Sequence, residues 1–87
     1  MIGALNKNWE LVYKDDKEYL EKTFEFKDFD TAMVFVNSVA AIGKAQDHHP
    51  TILIDWNKVT IQTFTHSANN RVTDKDEKLA LGIEEVV

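Results

Sequence analysis

One long segment of helical character, residues 31–45, constrains the fold more than any other part of the chain. Its apolar residues recur at the 3.6-residue spacing of an α-helix, and those on its main face are Ala32, Phe35, Val36, Val39, Ile42 and Gly43. Either Asp28 or Asp30 can cap the start of this helix, and Pro50 prevents it from continuing. The other elements must therefore pack against a helix that lies near the middle of the chain.

The apolar part of this helix is wider than one buried stripe. Met33 and Ala40 widen the main face, and Val34 and Ala41 lie on the far side. A helix of this kind usually contacts two partners. We expect its second face to contact another subunit; the alternative is a helix that lies deeper than average in one small core.

The segments on both sides of the helix alternate with the period of two that is typical of strands. Before the helix, Trp9, Leu11 and Tyr13 predict a half-buried strand, and a charged turn at residues 14–17 joins it to a second strand with Leu20, Phe24 and Phe26 on one face. After the helix, Ile52, Ile54 and Trp56 predict a third strand, and a turn at Asn57 and Lys58 leads to a fourth strand over residues 59–66. In that fourth strand Val59 and Ile61 share one face, and Thr60, Gln62, Phe64 and His66 share the other.

A second helix ends the chain. Thr73 and Asp76 have the spacing of a capping box, and Leu79, Ala80, Ile83, Val86 and Val87 form the apolar stripe that follows. The order of elements is thus β-β-α-β-β-α. It predicts an α+β fold: a two-layer sandwich with a four-stranded antiparallel sheet and helices packed on one face, built by residues 1–87 as a single domain.

Composition excludes several classes of function. The net charge of −5 argues against nucleic-acid binding, and the absence of cysteine excludes disulfides and thiolate sites. No apolar run approaches the length that spans a membrane, and residues 1–5 lack the features of a signal peptide. We expect a cytoplasmic protein without a membrane or nucleic-acid partner.

The candidate functional residues centre on the adjacent His48 and His49, with His66 placed at the end of the fourth strand. Neighbouring residues in an extended segment point to opposite sides, so this spacing is poor for a metal site, and we expect none. Each histidine alone is compatible with an ordinary polar loop. Their joint position at the ends of elements favours general acid–base chemistry near neutral pH, with Asp47 available to orient an imidazole.

Two further residues have structural explanations that compete with a functional one. The capping box accounts fully for Asp76. Packing on the sheet accounts for Trp56, although its ring can also form the wall of a site for a flat substrate.

Together the positions Lys44, His48-His49-Pro50, Trp56, His66 and Asp76 form a spaced pattern that resembles the pterin-4a-carbinolamine dehydratases. The resemblance extends over nearly the whole chain from about Trp9. Two features depart from the family. Its members often have a longer N-terminal segment with a helix, and the position of Lys44 is often acidic, so that an ammonium near His48 would disfavour the imidazolium ion.

The resemblance implies an enzyme that dehydrates 4a-hydroxytetrahydrobiopterin to quinonoid dihydropterin in tetrahydrobiopterin recycling, alongside an aromatic amino acid hydroxylase. It implies His48, His49 and His66 as catalytic residues, no metal or cofactor, and a homodimer or homotetramer. The substrate-binding residues that we expect are Asp47, Pro50, Trp56, Phe64, Thr65, Ser67 and Asp76. The alternative function is a non-catalytic dimerisation module of the transcription-factor cofactor type.

Overall fold

The structure is a computed structural model that describes residues 8–87. Its elements are β1 (Glu10–Lys14), β2 (Lys17–Glu25), α1 (Phe29–Gln46), β3 (Thr51–Asp55), β4 (Lys58–Thr63), a short 3₁₀ turn (His66–Ala68) and α2 (Asp74–Val86). This is the predicted order, so the α+β class is confirmed. The prediction that residues 1–5 carry no signal peptide falls outside the described part of the chain.

The four strands form one antiparallel sheet in the order β1-β2-β4-β3. The two hairpins therefore meet through β2 and β4, which are central, while β1 and β3 lie at the edges. In the register, Leu20 of β2 lies opposite Thr63 of β4, and Thr51 at the start of β3 lies opposite Gln62. The end of β4, the start of β2 and the start of β3 are consequently close together at one end of the sheet.

The core lies between the central strands and the helices. Its largest cluster combines both layers, with Phe24, Val59 and Ile61 from the sheet and Ala32, Phe35, Val39, Leu79 and Ile83 from the helices. Each of these side chains is almost fully removed from water. At about 25 cal/mol per Å² of apolar surface, this burial is the main force that holds the helix layer on the sheet.

The prediction that β1 is half-buried is wrong for two of its residues. Leu11 lies opposite Leu20 and so points to the helix side of the sheet, as the alternation predicts. It is nevertheless 50% exposed, and Tyr13 is 66% exposed. The reason is the place of β1 at the sheet edge, since the buried core is formed over the central strands β2 and β4.

The β3–β4 hairpin also differs from its predicted bounds. β3 ends at Asp55, so that Trp56 lies in the turn with Asn57, and its φ of 53° is in the left-handed region that large residues seldom adopt. β4 ends at Thr63, three residues before the predicted end. After it, Thr65 pairs only with Arg71, in a single isolated bridge.

Helix α1 begins two residues before the predicted Thr31, and of the two candidate caps Asp28 is the one used: it accepts a hydrogen bond from the backbone N–H of Thr31 at 2.8 Å. Its far side is open: Val34 is 67% exposed, and Ala40 and Ala41 are also exposed. Contact of this side with another subunit stays a prediction. Among the helices of residues 8–87, neither is both long and apolar enough to cross a membrane.

Candidate functional site

The loop that carries His48 and His49 is held against the last turn of α1. Asp47 ends the helix in the left-handed conformation, and the backbone N–H of His48 donates to the carbonyl of Gly43 at 2.9 Å. A Cβ at Gly43 would lie 3.3 Å from both the His48 carbonyl oxygen and Pro50 Cδ. Glycine at position 43 therefore allows the chain to fold back closely, which places His48 beside the helix end.

Asp76 is the centre of the polar network behind this loop. Its side chain is fully buried. One oxygen, Oδ1, lies 2.6 Å from His48 Nε2 and accepts from the hydroxyl of Thr63 at 2.6 Å. The other oxygen, Oδ2, accepts from the hydroxyl of Thr65 at 2.8 Å and from the backbone N–H of Thr73 at 2.9 Å. Two polar contacts per oxygen make this a fully satisfied buried carboxylate.

Opposing effects act on the pKa of Asp76. Burial on its own raises this pKa, because it disfavours the charged form. The hydrogen bonds from Thr63, His48, the Thr73 backbone and Thr65 act against burial and together hold the pKa below its ordinary value. Asp76 is therefore a carboxylate at neutral pH, and a carboxylate only accepts hydrogen bonds.

This charge state determines the tautomer of His48. Because Asp76 can only accept, His48 Nε2 must carry the proton of their 2.6 Å hydrogen bond. Neutral His48 then has an unprotonated Nδ1 that is able to take up a proton. The side chain of His48 is 13% exposed, so its ring is fixed by the network and still reaches the surface.

The three histidines line one cleft. It has a volume of about 320 Å³, and its lining consists of Asp47, His48, His49, Phe64, Thr65, His66, Ser67 and Lys75. His49 and His66 are exposed, in contrast to His48. The ring of His66 packs edge-on with Phe64, with a centroid distance of 4.6 Å. Phe64 and His66, which were predicted to share one face of the fourth strand, are thus in contact, although β4 ends before both residues.

Seven of the ten predicted site residues line this cleft, and the other three do not. Pro50 packs beside Gly43 at the loop. Asp76 lies beneath the surface and contacts His48. Trp56 is 64% exposed in the turn at the opposite end of the β3–β4 hairpin, roughly 15 Å from the start of β3 at the usual rise per strand residue.

The carboxylate and the ammonium at the site differ from those expected. Sequence reasoning offered Asp47 to orient an imidazole, but the carboxylate on His48 is Asp76. It also considered the ammonium of Lys44 near His48. Lys44 is exposed and does not line the cleft, whereas Lys75 does. Lys75 is in the first turn of α2, directly before the buried Asp76, and no sequence signal marked it.

Sequence reasoning also missed Thr63 and the second role of Thr73. Thr63 is buried and shares the face of Val59 and Ile61. A lone threonine at the end of an apolar face is a signal for a buried acceptor, because its hydroxyl needs a partner there. Thr73 forms the predicted capping box with Asp76, and its hydroxyl also lies 2.7 Å from that of Thr65.

A second opening continues the cleft around His48. It has a volume of about 280 Å³ and is lined by Gln46, Asp47, His48, Lys75 and Lys78. Within residues 8–87, no three His, Cys, Asp or Glu side chains are grouped so that they could hold a metal ion. The arrangement supplies one carboxylate-bound imidazole, two exposed imidazoles and an ammonium around a shared surface, which suits proton transfer to a polar substrate.

Comparison with known protein families gives one match over almost the whole chain. The family model described as pterin 4 alpha carbinolamine dehydratase matches residues 2–86. Curated relatives provisionally named as pterin-4-alpha-carbinolamine dehydratases include one from Sulfurisphaera tokodaii, 44% identical over 78% of this chain and 72% of the relative. Another, from Aquifex aeolicus, is 38% identical over 82% of this chain and 71% of the relative.

A third relative, from Marinobacter nauticus, is 41% identical over 67% of this chain and 52% of its own length. The chain thus spans about half the length of this relative and of two others, for which the shares are both 54%. Among solved structures, a protein described as a transcriptional coactivator/pterin dehydratase from Brucella melitensis has a TM-score of 0.85 and 35% identity, over 98% of this chain and 86% of that one.

A further solved structure shares the fold at 18% identity. It is described as a pterin dehydratase-like protein that is a RuBisCO assembly factor in the alpha-carboxysome, with a TM-score of 0.76 over 94% of this chain and 92% of that one. At this identity the likeness concerns the fold alone. The same architecture is therefore present in proteins with different described roles.

Proposed function

We propose, since the chain belongs to the pterin 4 alpha carbinolamine dehydratase family, that it dehydrates a 4a-hydroxytetrahydropterin to the quinonoid dihydropterin. The observation that carries this proposal is the convergence of His48, His49 and His66 on one cleft, with His48 bound to the buried carboxylate of Asp76. Membership of the family supports the reaction class. The geometry supports the way in which these residues perform it.

The proposed reaction needs two proton transfers. The hydroxyl on C4a takes up a proton and leaves as water, the electron pair of N5 forms the double bond to C4a, and the N5 proton is removed. No electrons are gained or lost overall. The imidazole side chains that line the cleft can supply both transfers to the bound substrate. Each such transfer by a positioned side chain contributes roughly 10²- to 10⁴-fold in rate.

We assign the leading acid–base role to His48. Its Nε2 is committed to Asp76, so Nδ1 is the nitrogen that exchanges a proton with the substrate. Asp76 is a positioning residue in this scheme, because it is buried and acts through His48. It also stabilises the imidazolium ion that forms when Nδ1 takes up a proton, in the way that the third group of a catalytic triad does.

The other two histidines have supporting roles in the proposal. His66 polarises the leaving hydroxyl, and His49 holds the pterin or shares in proton transfer. Asp47, Thr65 and Ser67, which line the same cleft, offer polar groups to the amide edge of the pterin. Trp56 and Pro50 have no place in this scheme within one copy of the chain.

The test is a stopped-flow measurement of carbinolamine loss, corrected for the spontaneous reaction, with wild type and His48→Ala. We expect kcat/KM to fall by about 10²-fold or more in the variant, because a general acid–base group is lost. Lys44→Ala is the matched control, since Lys44 is exposed outside the cleft; its kcat/KM should match wild type. Equal rates in wild type and His48→Ala would disprove the assignment.

A second candidate function is a protein-interaction role without catalysis. The observation in its favour is that the solved structure from Brucella melitensis is described both as a transcriptional coactivator and as a pterin dehydratase. This candidate predicts that a double variant of His48 and His66 to alanine keeps its biological effect. Loss of that effect together with dehydration would favour the enzyme.

We also propose that the protein associates with itself. β3 is an edge strand, and Leu53 and Ile54 on it are both exposed. An exposed apolar edge strand is a ready site for strand pairing, and Val34 on α1 offers a second apolar contact. Size-exclusion chromatography with light scattering should give a dimer or tetramer, and Leu53→Lys should lower the mass. A monomeric wild type would contradict the proposal.

The setting that we propose for this reaction is the cytoplasm, together with an aromatic amino acid hydroxylase that supplies the carbinolamine. A chain without cysteine has no need of an oxidising compartment. Fractionation of cells that express the tagged full-length protein tests the location.

A further inference from the structure

A separate cleft lies on the face of the sheet that the helices leave open. It has a volume of about 250 Å³, and Phe64 lines it together with Lys14, Asp15, Lys17, Tyr19, Thr51 and Gln62. We call it the outer-face cleft. Apart from Phe64, it shares no lining residue with the cleft of His48, His49 and His66, which we call the histidine cleft.

The β1–β2 turn places two lysines at one side of the outer-face cleft. Asp15 and Asp16 both have positive φ, 54° and 62°, which is the conformation of a two-residue turn that matches the twist of a hairpin. Lys14 and Lys17 are therefore paired directly across the hairpin. Both lysines line the same cleft from one turn.

Phe64 joins the outer-face cleft to the histidine cleft, because it lines both of them. Its ring packs with His66 at a centroid distance of 4.6 Å. Lys17 Nζ also lies over this ring, 5.4 Å from its centroid. If the ring system of a ligand binds at His66, a substituent chain on that ring can therefore extend along Phe64 and contact Lys17.

Two lysines give the outer-face cleft a basic side. Among its lining residues, Lys14 and Lys17 contribute two positive charges and Asp15 one negative charge, and the Glu21 carboxylate lies next to the lining residue Gln62. Among residues 8–87, the ion pairs within 4.0 Å join Lys22 to Glu84 and His48 to Asp76, so neither lysine of the cleft is neutralised at close range. Lys14 and Lys17 are therefore available to pair with an anion at this side of the cleft.

The remaining lining groups suit hydroxyls. Tyr19 and Thr51 supply hydroxyl groups, and Gln62 supplies an amide. Gln62 Nε2 donates a hydrogen bond to Glu21 Oε2 at 2.6 Å. The side-chain carbonyl oxygen of Gln62 is then left to accept a hydrogen bond from a ligand. A short hydroxylated chain can exchange hydrogen bonds with these groups between Phe64 and the lysines.

We propose that the outer-face cleft binds the 6-substituent of the pterin and selects hydroxylated substituents that end in an anionic group, a phosphate or a carboxylate. The proposal rests on the dehydratase function, since it places the pterin ring in the histidine cleft. Phe64 contacts the substituent where it leaves the ring. Lys17 and Lys14 bind its anionic end, and Lys17 is the specificity-determining residue.

The experiment compares 4a-hydroxytetrahydropterins that carry a 6-methyl group, a neutral dihydroxypropyl chain, the same chain with a terminal phosphate, or a chain with a terminal carboxylate. Wild type should favour both anionic substrates over the 6-methyl substrate by about 10-fold in kcat/KM at low salt, mainly through KM. The preference should shrink as salt is added.

Lys17→Glu should remove this preference while kcat/KM for the 6-methyl substrate stays within about twofold of wild type. The matched control is Lys58→Glu, which changes the net charge equally on the same face but at the other end of β4; it should keep the preference. Equal loss in both variants, or a preference unchanged in Lys17→Glu, would overturn the proposal. A preference for one anion alone would identify the substituent.

Failure of the dehydratase function would be recognised separately, because no substrate would then react faster than it does without protein. The outer-face cleft is in that case tested by fluorescence titration with the oxidised pterins that carry the same substituents. Tighter binding of the anionic pterins, lost in Lys17→Glu and kept in Lys58→Glu, supports the cleft. Equal binding of all the pterins by wild type refutes it.

Discussion

Both ends of the β3–β4 hairpin have polar side chains that donate hydrogen bonds, but the acceptors of these hydrogen bonds differ. At the turn end, Asn57 Nδ2 donates to the carbonyl of Phe26 at 2.7 Å, and the backbone N–H of Phe26 donates to the carbonyl of Asn57 at 2.9 Å. At the open end, where β3 begins and β4 ends, the hydroxyl groups of Thr63 and Thr65 donate to Asp76. Polar groups join two backbone segments at one end and hold an ionised side chain at the other.

The same contrast applies to the large side chains at the two ends. Trp56 at the turn end is exposed and takes part in none of the ring contacts found within residues 8–87, whereas Phe64 at the open end packs with His66. An aromatic ring takes part in a site only where other elements bring chemically active groups beside it. The open end has this property because α1 and α2 deliver His48 and Asp76 to it.

The largest expected difference between the ends concerns activity. His66→Ala should lower kcat/KM for carbinolamine dehydration by about 10²-fold, because a group that polarises the leaving hydroxyl is lost. Trp56→Ala at the turn end should leave kcat/KM within about twofold, as ordinary surface substitutions do. Stopped-flow rates of both variants check this. A Trp56→Ala variant as slow as His66→Ala would break the contrast and bring Trp56 into the site.

Replacement of the buried carboxylate should affect stability as well as activity. Asp76→Asn puts an amide NH₂ where donors from Thr63, Thr65 or His48 now point, so we expect a loss of about 2–4 kcal/mol in the free energy of unfolding. The tautomer of His48 is no longer fixed, and kcat should fall by about 10-fold or more. Urea unfolding and steady-state kinetics measure the two effects.

The result that would contradict this role for Asp76 is normal kcat in a destabilised Asp76→Asn variant. In that case the carboxylate would be only a helix cap. A shift in the pH dependence of kcat in the variant, which a purely structural role would not produce, would support the contact with His48.

Acid should weaken the open end of the sheet through the same carboxylate. The pKa of Asp76 is below its ordinary value of 3.8 in the folded protein, so the unfolded chain binds its proton first. The stabilisation is present above pH 3.8 and is lost as the pH falls through the folded pKa. The urea concentration at the midpoint of unfolding, measured from neutral to strongly acid pH, should decrease within this pH range.

The Asp76→Asn variant is the control for this effect of acid on stability. The variant should lose less stability over the same pH range, because it lacks the group that titrates. Some loss should remain, since the Thr31 hydrogen bonds at Asp28 also lower the pKa of that carboxyl. Identical pH profiles for wild type and Asp76→Asn would show that Asp76 is not responsible.

The smallest expected effect is that of two variants which should lose similar stability but differ in activity. Thr73→Ala removes the N-cap of α2, and Asn57→Ala removes the side-chain hydrogen bond to Phe26 at the turn end. Each should cost about 1 kcal/mol in the free energy of unfolding. Only Thr73→Ala should also lower kcat, because it removes the hydroxyl that contacts the hydroxyl of Thr65, and Thr65 in turn donates to Asp76. Equal kcat values in both variants would remove this distinction.

Much of the fold was predictable because it is encoded in local patterns. The order of elements, the start of α1 near Asp28 and the capping box of Thr73 and Asp76 follow from periodicity and capping, which depend on residues close together in the sequence. The exposure of Leu11 was not predictable in this way. Alternation predicts which face of the sheet a residue is on, but not whether a helix covers that part of the face.

The candidate site was predictable in part for the same reason. The pattern of His48, His49 and His66 identified the cleft, since these residues lie at the ends of neighbouring elements. Lys75 was missed because a lysine in the first turn of a helix has no local feature that distinguishes it from any exposed lysine. The separation of Trp56 from the site was missed because it depends on where the β3–β4 turn begins.

By itself the sequence determined the elements, their order, the caps and the family pattern with its three histidines, because each of these is expressed in the spacing of residues along the chain. Only the tertiary structure decided that Asp76 serves both as a helix cap and as the partner of His48. It also decided which lysines face a cleft. Such contacts depend on strand register and helix position, which bring together residues that no local spacing relates.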